Sequence, residues 1–120
     1  MTFKVKRGDI YFVDLGEEKF GSEQKGKRPA LILQNNTGNH HSTTTIVALI
    51  STKKKPLPVH IYLDPEDSGL QKDSYVLLEQ LRTIDKQRLL KRIGSTSDEK
   101  MEEVQEAIKI SLGMVNMYEN

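Results

Sequence analysis

Cysteine and tryptophan are absent from this chain, and no strongly apolar run exceeds a few residues. The missing thiols exclude cysteine nucleophiles, disulfide frameworks, Cys-type zinc sites and thiol redox chemistry. The longest apolar stretch, Ile46 to Ile50, falls far short of the ~20 residues a helical membrane span needs. The N-terminal residues are polar and charged without a signal-peptide core, so no membrane association and a soluble, cytoplasmic protein are expected. At 120 residues the chain is expected to form a single domain over 1–120. A chain of this size buries roughly two-thirds of its unfolded surface and needs neither disulfides nor a structural metal to fold.

Acidic residues are missing from one long stretch. Between Glu23 and Asp64 none occurs, while Lys25, Lys27, Arg28, Lys53, Lys54 and Lys55 all fall there, as do the three histidines. The net charge of the whole chain is nevertheless only +1, because residues 61–80 and 94–120 are rich in acids. Such blocks place unlike charge on different faces. A local basic surface on a nearly neutral protein favours a phosphate-bearing partner over indiscriminate adhesion. The plainer alternative is a solvated face balanced by acids folded over it.

Five short β-rich runs are bounded by turn residues: Ile10 to Leu15, Ala30 to Gln34, Thr44 to Ile50, Val59 to Leu63, and Ser74 to Gln80 with an extension towards Thr83. Their spacing favours a small antiparallel barrel or a strongly bent sheet over a parallel α/β fold. Turns are expected at Gly16 to Pro29, Asn35 to Ser42, Lys53 to Pro58 and Asp64 to Gly69. Ser97, followed by Asp98 and Glu99, reads as an N-cap with acids in the first helical turn, where the helix dipole favours them. Met101, Val104, Ile108 and Leu112 then recur at helical spacing and Gly113 is placed to stop the helix. Asp85 is a candidate cap for a shorter, basic helix through Leu90.

Most short motifs carry no weight here. Arg7-Gly8-Asp9 leads directly into an apolar strand, and Asn35-Asn36-Thr37 is a glycosylation sequon without a secretory route. His40, His41 and His60 lack a carboxylate at a recognisable ligand spacing, so no metal and no cofactor is expected. The first loop is more informative. It is more than twice the usual ~4–6 residues of a connection, and loops of that length often bind. It carries Ser22, Glu23, Gln24, Lys25, Lys27 and Arg28, and Pro29 fixes the chain direction just where Arg28 leaves it. A guanidinium so held suits two non-bridging phosphate oxygens, although from the residues alone a surface arginine with no special duty is the plainer reading.

Several segments together resemble the MazF/PemK family of toxins from type II toxin–antitoxin pairs. They are RGDIYFVDL (7–15), GSEQKGKRPALILQN (21–35), TTIVALIS (44–51), LPVHI (57–61), DSYVLLEQLRTIDKQRL (73–89) and ISLG (110–113). The resemblance implies a mainly β fold with α (α+β), a small SH3-like barrel of the CcdB/PemK plasmid-maintenance-toxin type with a C-terminal helix. It also implies a homodimer that cleaves single-stranded RNA sequence-selectively without metal and is inhibited by a cognate antitoxin. The family's catalytic arginine lies in an Arg-Pro dipeptide, which Arg28 matches. Its catalytic threonine closes the third strand, where this chain has Ser51, with Thr52 one step on. Register favours Ser51, because a one-residue shift along a strand reverses the face.

On this resemblance the ribose 2′-hydroxyl attacks the adjacent phosphorus, leaving a 2′,3′-cyclic phosphate and a 5′-hydroxyl. Arg28 stabilises the pentavalent dianion and Ser51 holds a phosphate oxygen. Ser22, Glu23, Gln24, Glu79 and Gln80 match substrate-groove segments, and Phe20 is a stacking candidate. Lys53, Lys54 and Lys55 attract phosphates without selecting sequence, and Lys25 and Lys27 add to that attraction. His60 and Glu23 are candidates for the general base. Three rivals keep parts of this picture: a barrel acting by protein contact as gyrase poisons do, an RNA-binding module without activity, and a ribonuclease using His60 with His40 or His41.

Overall fold

The computed structural model describes residues 4–18, 20–21 and 23–115. Six strands form one antiparallel sheet: β1 (Asp9–Asp14), β2 (Lys27–Ile32), β3 (Thr44–Ser51), β4 (His60–Leu63), β5 (Ser74–Asp85) and β6 (Leu89–Ser95), in the spatial order β4-β5-β3-β2-β1-β6. Helices α1 (Asn36–His41) and α2 (Pro65–Ser68) interrupt them, and α3 (Asp98–Ser111) follows β6. The five expected strands are present. The sixth, β6, replaces the expected basic helix after Asp85. The Asp85 carboxylate does cap, accepting from the Gln87 amide at 2.8 Å, but what it caps is a single 3₁₀ turn at Lys86–Arg88. β6 then pairs with β1 through two register breaks, which place Leu89 opposite Val13 and Gly94 opposite Ile10. Pairing with an edge strand outweighs the helical leaning of a short Leu-Lys-Arg run. Helix α1 likewise occupies a segment expected as turn; Asn35 caps it by accepting from the Gly38 amide at 2.8 Å.

Alternation along the strands divides the core in two. Ile10, Leu31, Ala48, Ile50, Val76 and Leu78 point to one side, where Met101, Val104 and Ala107 of α3 cover them. Tyr11, Val13, Ala30, Ile32, Val47 and Leu49 point to the other. Helix α3 starts where Ser97 caps it, accepting from Lys100 N at 3.1 Å. Leu112, which continues the helical repeat of Met101, Val104 and Ile108, is 59% exposed at the cap.

The α+β class and the C-terminal helix match expectation, but the strands do not close into a hydrogen-bonded barrel. β4 and β6 end the sheet, and no ladder joins them among the described residues. The gap is filled by packing. A side chain at Gly94 would bring its Cβ within 2.1 Å of the Ser68 carbonyl oxygen, and one at Gly69 within 2.7 Å of the Ile93 oxygen. Two glycines therefore let α2 and its exit lie against the backbone of β6, and Gly69 also adopts the left-handed φ of +85° that ends α2.

One irregularity shapes everything below. Ala48 pairs with Leu81 and the next residue, Leu49, with Leu77, so Leu78, Glu79 and Gln80 bulge out of the β3–β5 ladder. Bulges of this kind re-aim side chains. Glu79 and Gln80 thus lie in the middle of a long strand, at its break, and not at a strand end.

Candidate active site

The β2–β3 register runs Ile32↔Val47, Leu31↔Ala48, Ala30↔Leu49. Carried two residues further, it sets Arg28 opposite Ser51. Both residues share the face of Ala30 and Leu49, whereas Pro29 and Thr52 belong to the opposite face. On the neighbouring ladders Ser51 pairs with Tyr75, Tyr75 with Tyr62, and Leu77 with His60. One face of the sheet therefore presents Arg28, Ser51, Tyr75 and Tyr62 in a row, with His60 and Leu77 in the next.

A cavity of about 320 Å³ opens beside Ser51, lined by Gly21, Gln24, Lys53, Lys55, His60, Leu77, Glu79 and Gln80. A second of about 380 Å³ adjoins it, sharing Gln24, Glu79 and Gln80 and adding Glu18, Glu23, Leu81 and Arg82. Thr52 lines neither. It faces a groove of about 610 Å³ behind the sheet, with Phe12, Pro29, Ser74 and Leu90.

Local hydrogen bonds set what each group has left to offer. The Ser51 Oγ accepts from the Lys53 amide at 3.1 Å, which leaves its proton free to donate. Arg28 spends its Nε on the Lys25 carbonyl at 3.1 Å, and its two terminal amino groups have no partner among the described residues. Glu23 is committed to the loop: its Oε1 accepts from the Phe20 amide at 2.9 Å, and its own amide donates back to the Phe20 carbonyl at 3.1 Å. His60 donates from Nε2 to Glu79, with oxygens at 2.8 and 3.0 Å. At the far end of the row the Tyr62 hydroxyl donates to Asp73 at 2.8 Å; that bond, followed by desolvation and the nearby carboxylate charge, pushes the phenol up to about 12.

The sequence candidates thus sort themselves. Ser51, Gln24, Lys53, His60, Glu79 and Gln80 converge on the cavity, and Glu23 on its neighbour. Arg28 and Lys25 line neither cavity; the Lys25 carbonyl accepts from the Arg28 Nε, and the register carried on from Ala30↔Leu49 sets Arg28 on the face of Ser51. Lys27, Lys54 and Phe20 are exposed and line none of these cavities; Phe20 is 80% exposed. Ser22 lies outside the described residues. His40 lines a separate pocket with Lys6, Asn39 and Lys86, and its ring packs edge-on against His41. The structure therefore does not bring either to His60, which removes the two-histidine arrangement. Among the described residues no group of three or more His, Asp or Glu is placed to hold a metal ion. Sequence reasoning missed Tyr62, Tyr75 and Leu77 on the site face; the signal was the two-residue alternation that joins Tyr75 to Leu77 and His60 to Tyr62.

Comparison with known proteins gives this arrangement a context. A family described as PemK-like, MazF-like toxin of type II toxin–antitoxin system matches residues 6–112. Endoribonuclease EndoA of Bacillus subtilis (strain 168) is 50% identical over 114 residues, covering 93% of this chain and 97% of the relative. Among solved structures, an endoribonuclease in complex with its cognate antitoxin from Mycobacterial species superposes with a TM-score of 0.79 at 26% identity, covering 92% of this chain and 97% of that one. MazF from Deinococcus radiodurans superposes at 0.79 and 22% identity over 93% and 99% of the two chains, a likeness of fold.

Proposed function

The chain belongs to the PemK-like, MazF-like toxins of type II toxin–antitoxin systems and is an endoribonuclease toxin of that type, and we propose that it cuts single-stranded RNA without metal, using Arg28 and Ser51. What supports this reading is the β2–β3 register, which ends at Ala30↔Leu49 and, carried two residues on, puts Arg28 across from Ser51, on the face where Gln24, His60 and Glu79 converge. The 2′-hydroxyl of the substrate attacks the adjacent phosphorus; the bond to the 5′-oxygen of the next nucleotide breaks, giving a 2′,3′-cyclic phosphate and a 5′-hydroxyl. Negative charge grows on the non-bridging oxygens, where the free amino groups of Arg28 and the donating hydroxyl of Ser51 stabilise it. A guanidinium is protonated throughout the working range, so Arg28 acts as a fixed cation. Gln24, Glu79 and Gln80 supply polar contacts to bases, and Lys53 with Lys55 draws the backbone in.

A cognate antitoxin is the inhibiting partner in this reading, and the protein acts in the cytoplasm as a homodimer. Leu112, Met114 and Val115 support the dimer: 59, 68 and 44% exposed, they form an apolar end to α3 that nothing among the described residues covers. Sedimentation at micromolar protein is expected to give a dimer mass; a concentration-independent monomer overturns that part. The activity is tested by incubating the protein with long single-stranded RNA in chelator and mapping the ends. Discrete cuts with 5′-hydroxyl ends are expected. Activity that vanishes in chelator and returns with a divalent metal overturns the mechanism.

A further inference from the structure

The contact between His60 and Glu79 is the ion pair that stands at the candidate site. Among the other ion pairs of the described residues, Lys100–Glu103 and Lys109–Glu106 join neighbours along α3, and Arg92–Asp9 joins an Asp side chain 8% exposed to an Arg side chain 52% exposed, away from both cavities. The His60 side chain is only 3% exposed, while the Glu79 carboxylate is 41% exposed and lines both cavities of the site. Both carboxylate oxygens lie within hydrogen-bond distance of the same Nε2, at 2.8 and 3.0 Å. The other ring nitrogen, Nδ1, is buried with no partner among the described residues.

These facts settle which form of the ring fits. Nε2 must carry the proton, since a carboxylate only accepts. Nδ1, buried and without a partner among the described residues, is then better left as an acceptor than as an N–H donor. The ring's one polar contact among the described residues is with the carboxylate, made from β4, while the bulge in β5 carries Glu79 out of the ladder towards the cavity.

We infer that His60 is a positioning residue that locks the Glu79 carboxylate as a hydrogen-bond acceptor for a nucleobase bearing an exocyclic amino group. This rests on the ribonuclease reading and adds to it. With Nε2–H fixed on one side, the remaining lone pairs of the carboxylate face the cavity, and every one of them accepts. Adenine, cytosine and guanine offer an amino group to such an acceptor; uracil offers carbonyl oxygens on either side of one ring N–H and leaves them facing negative charge. One position of the recognised RNA word is therefore chosen by the sign of the hydrogen bond at Glu79, and the choice is sharp only while His60 keeps the carboxylate still.

The test uses the full chain and a set of short RNAs that differ from a mapped cleavage site one base at a time, read by kcat and KM for each. The parent enzyme is the control: if it cuts none of them, the ribonuclease reading has failed and the inference is not what was measured. In E79Q the Nε2–H of His60 still donates to the amide oxygen, which turns the amide NH₂ to the cavity. The expected result is reversal at one position, with the amino-bearing base losing about tenfold or more in kcat/KM against uracil and other positions unchanged. H60L keeps the apolar volume and drops the donor; KM for the preferred RNA should rise about tenfold with kcat nearly held, and discrimination at that one position should flatten. H60Q places an amide N–H near the Nε2 position and should restore most of it, whereas H60N, which mimics only Nδ1, should not. If H60L does not fold, as judged by its melting curve, the H60Q and H60N pair carries the same comparison. The inference is overturned if E79Q leaves the base ranking intact, or if the His60 variants lower kcat equally on every RNA, the mark of a residue that only packs.

Discussion

Ser51 and Thr52 are adjacent at the end of β3, yet they face two cavities of different character. Ser51 shares about 320 Å³ with Gln24, Lys53, His60, Glu79 and Gln80, while Thr52 shares about 610 Å³ with Phe12, Pro29, Leu70, Leu90 and Ile93. The larger space is chemically the poorer one. Beside its apolar walls stand Lys72, Lys91 and Arg92, but no carboxylate or imidazole lines it, and it opens where Gly69 and Ile93 meet, at the unpaired edges of the sheet. The smaller one is where a bulge and a long loop deliver polar groups from β3, β4, β5 and the β1–β2 connection to one point. Convergence of unlike polar groups, and not volume, marks the site.

If that division is right, substitutions on the two sides should fail in different ways. The largest effect is expected at Arg28. Arg28→Ala should lower cleavage about 10²–10³-fold, the loss typical of a donor that meets developing charge. RNA should still bind, because Lys25, Lys53 and Lys55 remain, and the melting temperature should hold, since the side chain is exposed and its one hydrogen bond to a described residue is to the Lys25 carbonyl. Single-turnover cleavage within about threefold of the parent, far below the effect of such a donor, would show the assignment to be wrong.

Gly94→Ala should do the reverse. The added Cβ would sit 2.1 Å from the Ser68 carbonyl oxygen, so α2 or β6 must move. An overpacked backbone contact costs about 1–3 kcal/mol, and the expected readout is a denaturation midpoint lowered accordingly while the surviving folded protein cuts RNA at the parent rate. A Gly94→Ala protein as stable as the parent would mean that the sheet edges are not held together by this approach.

How far the sequence disclosed this depends on the scale of the signal. Alternation and turn residues placed β1 to β5 to within a few residues, and Ser97 with its acids placed α3, because each rests on contacts within a short window. β6 was missed because its reason lies in β1, some eighty residues away: Leu89 and Gly94 are strand residues only through Val13 and Ile10. The site divides the same way. Arg28 and Ser51 were named from a resemblance, and strand parity alone put Ser51 and Thr52 on opposite faces. The link between His60 and Glu79 was not legible, since it depends on three residues that bulge from β5, which no local pattern announces.

A smaller effect than that of Arg28 is expected at the hydroxyl. In the role proposed for it, Ser51 donates to a charged phosphate oxygen, so Ser51→Ala should lower single-turnover cleavage about tenfold to a hundredfold. It also removes the acceptor for the Lys53 amide, so a control is needed. Ser51→Thr provides it: the hydroxyl stays, the added methyl narrows the rotamers, and activity should be kept or improved. Loss in both variants would place the fault in the turn at Lys53 and not in the missing donor.

The smallest effect, and the one that most directly tries the comparison, is expected at Thr52. The residue is exposed, it lines the groove with Pro29 and Ser74, and the register carried on from Ala30↔Leu49 turns its side chain away from Arg28. No hydrogen bond of its hydroxyl to a described residue is present to be lost. Thr52→Ala should therefore cut the same RNA within about threefold of the parent, less than a single neutral hydrogen bond is worth, and bind it equally. The risk in this expectation is local. Ser51 is the last residue of β3 and its Oγ already caps the turn that follows, so strand parity is being carried to the very point where the strand ends. Were Thr52→Ala the more damaging change, with Ser51→Ala mild, the turn and not the ladder would be setting which hydroxyl meets the phosphate. The groove behind the sheet would then belong to the substrate, and the division between a chemical face and a packing face would fall at the place where it is drawn most sharply.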